Sequence, residues 1–127
     1  MDQFVLRPGI GAVCARVNAG FIAGSDGVLV IDTMNYPADG QEISAFVTSQ
    51  TSAPLRAVIN THNHADHTFG NQAFAAQVVA HKLCRRLMEE NLAASWGQAS
   101  LDAMRQAPGG ERLAGLRIRL PDVTFHH

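Results

Sequence analysis

Three of the six histidines fall within residues 62–67, in the string Thr61-His62-Asn63-His64-Ala65-Asp66-His67-Thr68, directly behind the apolar run of residues 55–59. Because that run reads as a strand leading straight into the cluster, the fold must carry these side chains at a strand end. Side chains alternate along an extended segment, which lets His62 and His64 project the same way. Ala65 is small enough for the chain to turn, and a turn there brings Asp66 and His67 back to the same place. Four ligand atoms of a type preferred by a borderline divalent ion such as zinc, imidazole nitrogen and carboxylate oxygen, thus converge from one short segment. A histidine-rich surface loop without metal is the plainer alternative. The location, after a strand and before Gly70, favours a built site.

The segments on either side predict a mixed α/β domain. Residues 12–17, 20–24 and 28–32 read as three strands of an antiparallel meander, punctuated by Asn18-Ala19-Gly20 and Ser25-Asp26-Gly27. The Asp26-Gly27 pair signals a tight hairpin, because both residues tolerate positive φ. Residues 28–31 are apolar without alternation, which predicts a strand covered on both faces. Pro37, followed by Asp39 and Glu42, opens a helix with Ile43, Phe46 and Val47 on one face, ending within residues 49–53. Residues 55–61 form a fourth strand leading into the histidine cluster. Beyond it the pattern gives a short helical segment over residues 68–76, a brief strand over 77–80 and a helix over 81–94. That last helix sets Leu83, Leu87 and Leu92 on one side. Arg85 with Glu89 and Arg86 with Glu90 make a solvated face on the other. Leu101 and Met104 suggest a further short helix, Pro108-Gly109-Gly110 breaks the chain, and Pro121-Asp122 turns it toward a segment at 123–125.

Composition narrows the function classes. With 46% apolar and 17% charged residues, residues 1–127 read as one globular domain or part of one. Ten basic against eleven acidic residues leave no electrostatic footprint for nucleic acid. No apolar run is long enough to span a bilayer, and Asp2, Arg7 and Arg16 interrupt any leader-like core, so no membrane association and a cytoplasmic location are expected. Cys14 and Cys84 form no CxxC pair and read as small buried apolar residues.

The string His62-x-His64-x-Asp66-His67 after a strand resembles the hallmark of the metallo-β-lactamase superfamily. Residues 20–33, Gly-Phe-Ile-x-Gly-x-Asp-Gly-Val-Leu-Val-Ile-Asp-Thr, are similar to that family's opening hairpin and strand-ending aspartate. Residues 55–71 resemble its next strand and metal loop. The resemblance implies an α/β fold of the αββα sandwich type. The chain would correspond to the N-terminal half of that sandwich: β-meander, helix, strand, metal loop, helix.

By that resemblance His62 and His64 would bind one zinc, and Asp66 and His67 would serve a second. Asp66 would also hold the attacking water and accept its proton, with Asp32 bracing the metal loop from behind; its plainer reading is a turn residue at a strand end. The implied function is a zinc-dependent hydrolase in which metal-bound hydroxide attacks a small ester, thioester, lactone or related acyl substrate. The family's redox branch carries Glu where this chain has His64, and its nucleases need basic surfaces that this composition lacks. The family's third histidine, bridging aspartate and final histidine have no match here. A complementary half or a homodimer is therefore expected as partner, with a catalytically silent metal-binding fragment from a truncated or split gene as the alternative. His81 reads as a helix-end histidine with a local hydrogen bond, and His126 and His127 as terminal residues rather than ligands.

Overall fold

Turn residues divide the first third of the chain into short segments rich in apolar residues, and along residues 10–31 burial alternates from one position to the next. In the computed structural model, which describes residues 1–127, these segments form four antiparallel strands: β1 Asp2–Arg7, β2 Ile10–Cys14, β3 Asn18–Gly24 and β4 Gly27–Ile31. Three parallel strands follow, β5 Leu55–Ile59, β6 Gln77–His81 and β7 Val123–Phe125, and the seven lie side by side in chain order. The helices are α1 Pro37–Gln50, α2 Ala65–Thr68, α3 Lys82–Leu92 and α4 Gln98–Gln106, with 3₁₀ turns at Phe69–Ala73 and Gly110–Leu113.

One sheet face is the core. Val13, Phe21, Val28, Val30, Val58 and Val78 point into it and meet Ile43, Phe46 and Val47 of α1, where the Phe21 and Phe46 rings pack edge to face at 5.6 Å. A second cluster joins Ala80, Cys84, Met88, Trp96 and Leu101, with Phe69 and Trp96 at 5.0 Å. A helix layer on one face of one sheet is half of an αββα arrangement. The opposite sheet face is apolar and open, with Phe4, Ile10, Ile22, Leu29, Val123 and Phe125 all at least 36% exposed.

Several local expectations are corrected. β4 is covered on one face only: Val28 and Val30 are fully buried, whereas Leu29 is 40% exposed on the open side. Asn18, Ala19 and Gly20 lie inside β3 instead of forming a turn, and the reversal falls at residues 15–17. The Asp26-Gly27 hairpin forms, but Gly24 pairs with Gly27 across Ser25 and Asp26, and neither of those takes a positive φ; Gly27 alone does, at 142°. β1 was not anticipated. It is an edge strand exposed along its whole length, so no one-sided burial marks its sequence. On α3 the buried residues are Cys84 and Met88, whereas Leu83 and Leu87 point outward. Residues one position apart on a helix differ by about 100°, so this face is rotated from the expected one. The charged face forms as expected, with Arg85–Glu89 at 2.9 Å and Arg86–Glu90 at 3.0 Å.

β7 is fastened by Asp122. Its Oδ2 accepts the Val78 N–H at 2.8 Å and Arg119 Nη2 at 2.9 Å, and its own N–H donates to the Val78 carbonyl. The Val78 N–H, ahead of the Arg119 charge, holds this carboxyl below the usual range. A depressed folded pKa contributes stability above the unfolded value, about 4, that is lost as pH falls through the folded one. Because the group is half exposed, Asp122→Ala is expected to cost about 1 kcal/mol at pH 7 and less at pH 3. Thermal melts at both pH values check this; an equal gap at both would remove the ionic contribution.

Candidate metal centre

β4 and β5 run parallel, with Ile31 opposite Ile59, so the residues just past both strand ends are neighbours: Asp32 on one side, Asn60 and Thr61 on the other. Asp32 and Met34 both take the left-handed conformation, at φ 59° and 64°. Such a backbone costs about 1 kcal/mol or more per non-glycine residue and needs fixing from outside. Here Asp32 N–H donates to Ile59 O at 2.9 Å, Thr33 N–H to His67 O at 3.0 Å, and Gly70 N–H to Met34 O at 3.2 Å.

The buried Asp32 carboxylate organises the loop. Its Oδ1 accepts the Thr61 N–H at 2.8 Å; its Oδ2 accepts the Thr61 hydroxyl at 2.6 Å and His67 Nδ1–H at 2.8 Å. The Thr61 hydroxyl has donated its proton, so at 3.0 Å its oxygen accepts from His62 Nδ1–H. Both imidazoles are therefore tied back through Nδ1, and each leaves the Nε2 lone pair free. Ligand orientation through the other ring nitrogen is how protein metal sites fix histidine tautomers.

The ring of His62 lies 4.1 Å from that of His67 and 4.7 Å from that of His64, centroid to centroid. The chain turns at Ala65 into α2, which sets Asp66 Oδ1 3.9 Å from His67 Nε2. Burial, then the neighbouring His67 and His64, push the pKa of His62 down against the opposing pull of Asp32 and Asp66. A neutral imidazole is the form that binds a cation. The tightest group of donor atoms, within 4.8 Å of one another, belongs to Asp32, His62 and His67. Three hydrogen bonds from the loop converge on the Asp32 oxygens, so this carboxylate braces the loop, while each imidazole keeps its Nε2 lone pair free. His64 and Asp66 stand outside that tightest group, Asp66 being the more open to solvent than His67. The donor set fits a zinc-like divalent ion.

His81 caps α3, its Nδ1 accepting the Leu83 N–H at 3.1 Å, and the His126 and His127 rings lie tilted against one another, 4.3 Å apart. Sequence reasoning missed the residues beneath the loop: Thr33, Asn60 and Asn71, all buried, linked side chain to side chain. The only local signal was Asn60 closing an apolar strand. It also missed a cleft of about 530 Å³ beside Asp66, lined by Arg16, Val17, Met34, Tyr36 and Arg112. There the Arg112 guanidinium sits 3.8 Å above the Tyr36 ring and pairs with Asp39 at 3.2 Å.

Among known proteins, a hydroxyacylglutathione hydrolase of Shewanella halifaxensis is 46% identical over 46 residues, 36% of this chain and 16% of that protein. The structure resembles a metallo-beta-lactamase from Hirschia baltica (TM-score 0.61, 26% identity, 71% of this chain and 47% of the other). It also shares its fold with a stereoselective inverting sec-alkylsulfatase from Pseudomonas sp. (TM-score 0.72, 16% identity, 98% and 24%). A metallo-beta-lactamase from Pontibacter korlensis gives a TM-score of 0.68 at 17% identity, with coverage of 99% and 53%. The chain thus spans about half or less of the length of these relatives. The family described as the Metallo-beta-lactamase superfamily matches residues 13–125, nearly the whole chain and all of the loop built on Asp32, and the chain belongs to that superfamily.

Proposed function

We propose that this chain carries the first half of the active site of a zinc-dependent hydrolase acting on a small ester, thioester, lactone or related acyl compound. The observation that carries the reading is the pair of imidazoles, His62 and His67, held through Nδ1 with both Nε2 atoms free beside His64 and Asp66. His62 and His64 would hold one ion, Asp66 and His67 a second. A divalent ion there supplies Lewis acidity and a water acidic enough to act near pH 7. Asp66, at 39% exposure the open carboxylate of the loop, would be the residue placed to orient such a water and to accept its proton on a carboxylate oxygen. The substrate's unreacting part lies in the cleft that Asp66 shares with Tyr36 and Arg112. The short stretch shared with a hydroxyacylglutathione hydrolase supports an acyl compound.

The open apolar sheet face is the surface on which we place a complementary half of a longer protein, which would bring the remaining ligands; a second copy of this chain is the other occupant. Relatives about twice this length or more support that choice. A reducing, cytoplasmic compartment suits Cys14 and Cys84, both free thiols. The deciding experiment is elemental analysis of protein whose mass is measured during size exclusion. About two zinc ions per chain in a defined assembly are expected. One or none, lost on mild chelation from a monodisperse monomer, would favour the second reading, a silent metal-binding fragment. That reading draws on the presence of one close donor group in this chain.

A further inference from the structure

We infer that Asn60 and Asn71 form a positioning clamp that closes the metal-binding loop into a ring and sets the placing of its ligands; the inference rests on the metal centre proposed above. The two side-chain amides bond reciprocally, Asn71 Nδ2 to Asn60 Oδ1 at 2.8 Å and Asn60 Nδ2 to Asn71 Oδ1 at 3.0 Å, and both residues are buried, at 3% and 0% exposure. Everything that carries the chemistry, residues 61–67, lies between them in the chain.

The pair is tied to its surroundings on every side. The Asn60 N–H donates to Val79 O of β6 at 3.0 Å, so one end of the ring is part of the sheet. Asn71 Oδ1 also accepts the Thr33 hydroxyl at 2.9 Å, and Nδ2 also donates to Arg119 O at 3.1 Å. All four hydrogen-bonding sites of the Asn71 amide are therefore taken, and a carboxylate or hydrocarbon of the same shape satisfies only some of them. Thr33 is the cross-link to the ligands: its N–H donates to the carbonyl of His67, and its hydroxyl lies 3.2 Å from the same oxygen. A displacement of Asn71 thus reaches His67 through one residue and His62 through Asn60 and Thr61. Asp32 fixes which ring nitrogen faces outward; the amide pair fixes where the backbone holds the rings.

The test uses the full chain and three variants. Asn71→Asp is isosteric and loses both donated hydrogen bonds, Asn60→Asp loses one, and Val47→Ala opens a cavity in the core of α1 away from the loop. Zinc affinity is measured by chelator competition. Amide hydrogen exchange at Thr61 and His67 is measured on metal-free protein. Asn71→Asp is expected to weaken zinc about 10-fold or more and Asn60→Asp less, with faster exchange at both amides. Val47→Ala, compared at matched distance below its own melting temperature, should retain wild-type affinity and exchange at those positions. Unchanged affinity and exchange in the asparagine variants, or equal loss in Val47→Ala, overturns the clamp. A wild-type chain that binds no zinc overturns the metal centre instead, and the exchange data still decide the clamp. If Asn71→Asp does not fold, Asn60→Asp carries the decision.

Discussion

Gly70→Ala is expected to destabilise the protein by about 3 kcal/mol or more, a large part of the roughly 5–15 kcal/mol that holds a domain of this kind together. A Cβ at this position would stand 2.0 Å from the Thr33 carbonyl oxygen and 3.0 Å from the Gly40 Cα. Both neighbours are backbone, so no side chain can rotate away. Gly40 meets the same surface from the other side: its own Cβ would lie 2.5 Å from Gly70 O, which shows α1 and the segment after the metal loop packed backbone to backbone. Relief requires moving the turn at residues 32–34, and with it the Thr33 and Met34 bonds that hold the loop. The expected fall in melting temperature is about 10 °C or more, followed by circular dichroism. A shift within about 2 °C would mean that this packing is slack.

Asp32→Asn is expected to lower zinc affinity about 100-fold, the upper end for groups that orient metal ligands, with little change in the backbone, since asparagine also tolerates the left-handed conformation at φ 59°. The new amide keeps an oxygen for the Thr61 N–H. Its nitrogen then faces two donors, the Thr61 hydroxyl and His67 Nδ1–H. Relief moves the His67 proton to Nε2 and turns the Thr61 hydroxyl toward His62, which shifts that proton to Nε2 as well. One substitution thereby closes both free lone pairs. Chelator competition reads the affinity and ¹⁵N shifts of the two rings read the tautomers. Wild-type affinity with Nδ1-protonated rings would remove Asp32 from the role assigned to it.

Much of this was legible along the chain because it is local. The histidine cluster spans six residues and sits behind an apolar strand, and the Asp26-Gly27 hairpin, the Pro37 helix start and the breaks around Pro108 and Pro121 are each written in a few adjacent residues. What was hidden depends on distant partners. β1 is marked only by pairing with β2, and nothing in Gln3-Phe4-Val5-Leu6 indicates which face is inside because neither is. On α3, Leu83, Cys84, Leu87 and Met88 are all apolar, so periodicity allows two faces and only the sheet beneath selects one. Leu29 looks like a doubly buried residue for the converse reason: the residues needed to cover it are not on α1. The Asn60–Asn71 pair joins positions 11 apart, and Thr33 reaches Asn71 across 38, separations at which a sequence pattern carries no distance information.

The sheet has a consequence for how the molecule is made. Each strand lies beside the one that precedes it in the chain, so five of the six pairings close over short intervals, and only β7 must return, Val123 meeting Val79 across 44 residues. Mostly local closures cost little chain entropy and fold quickly. During synthesis, residues 1–81 can form six strands, α1 and the whole histidine loop before β7 leaves the ribosome. The histidine loop would then be in place early, and the pairing of β7, fastened by Asp122, would be the slowest of these six.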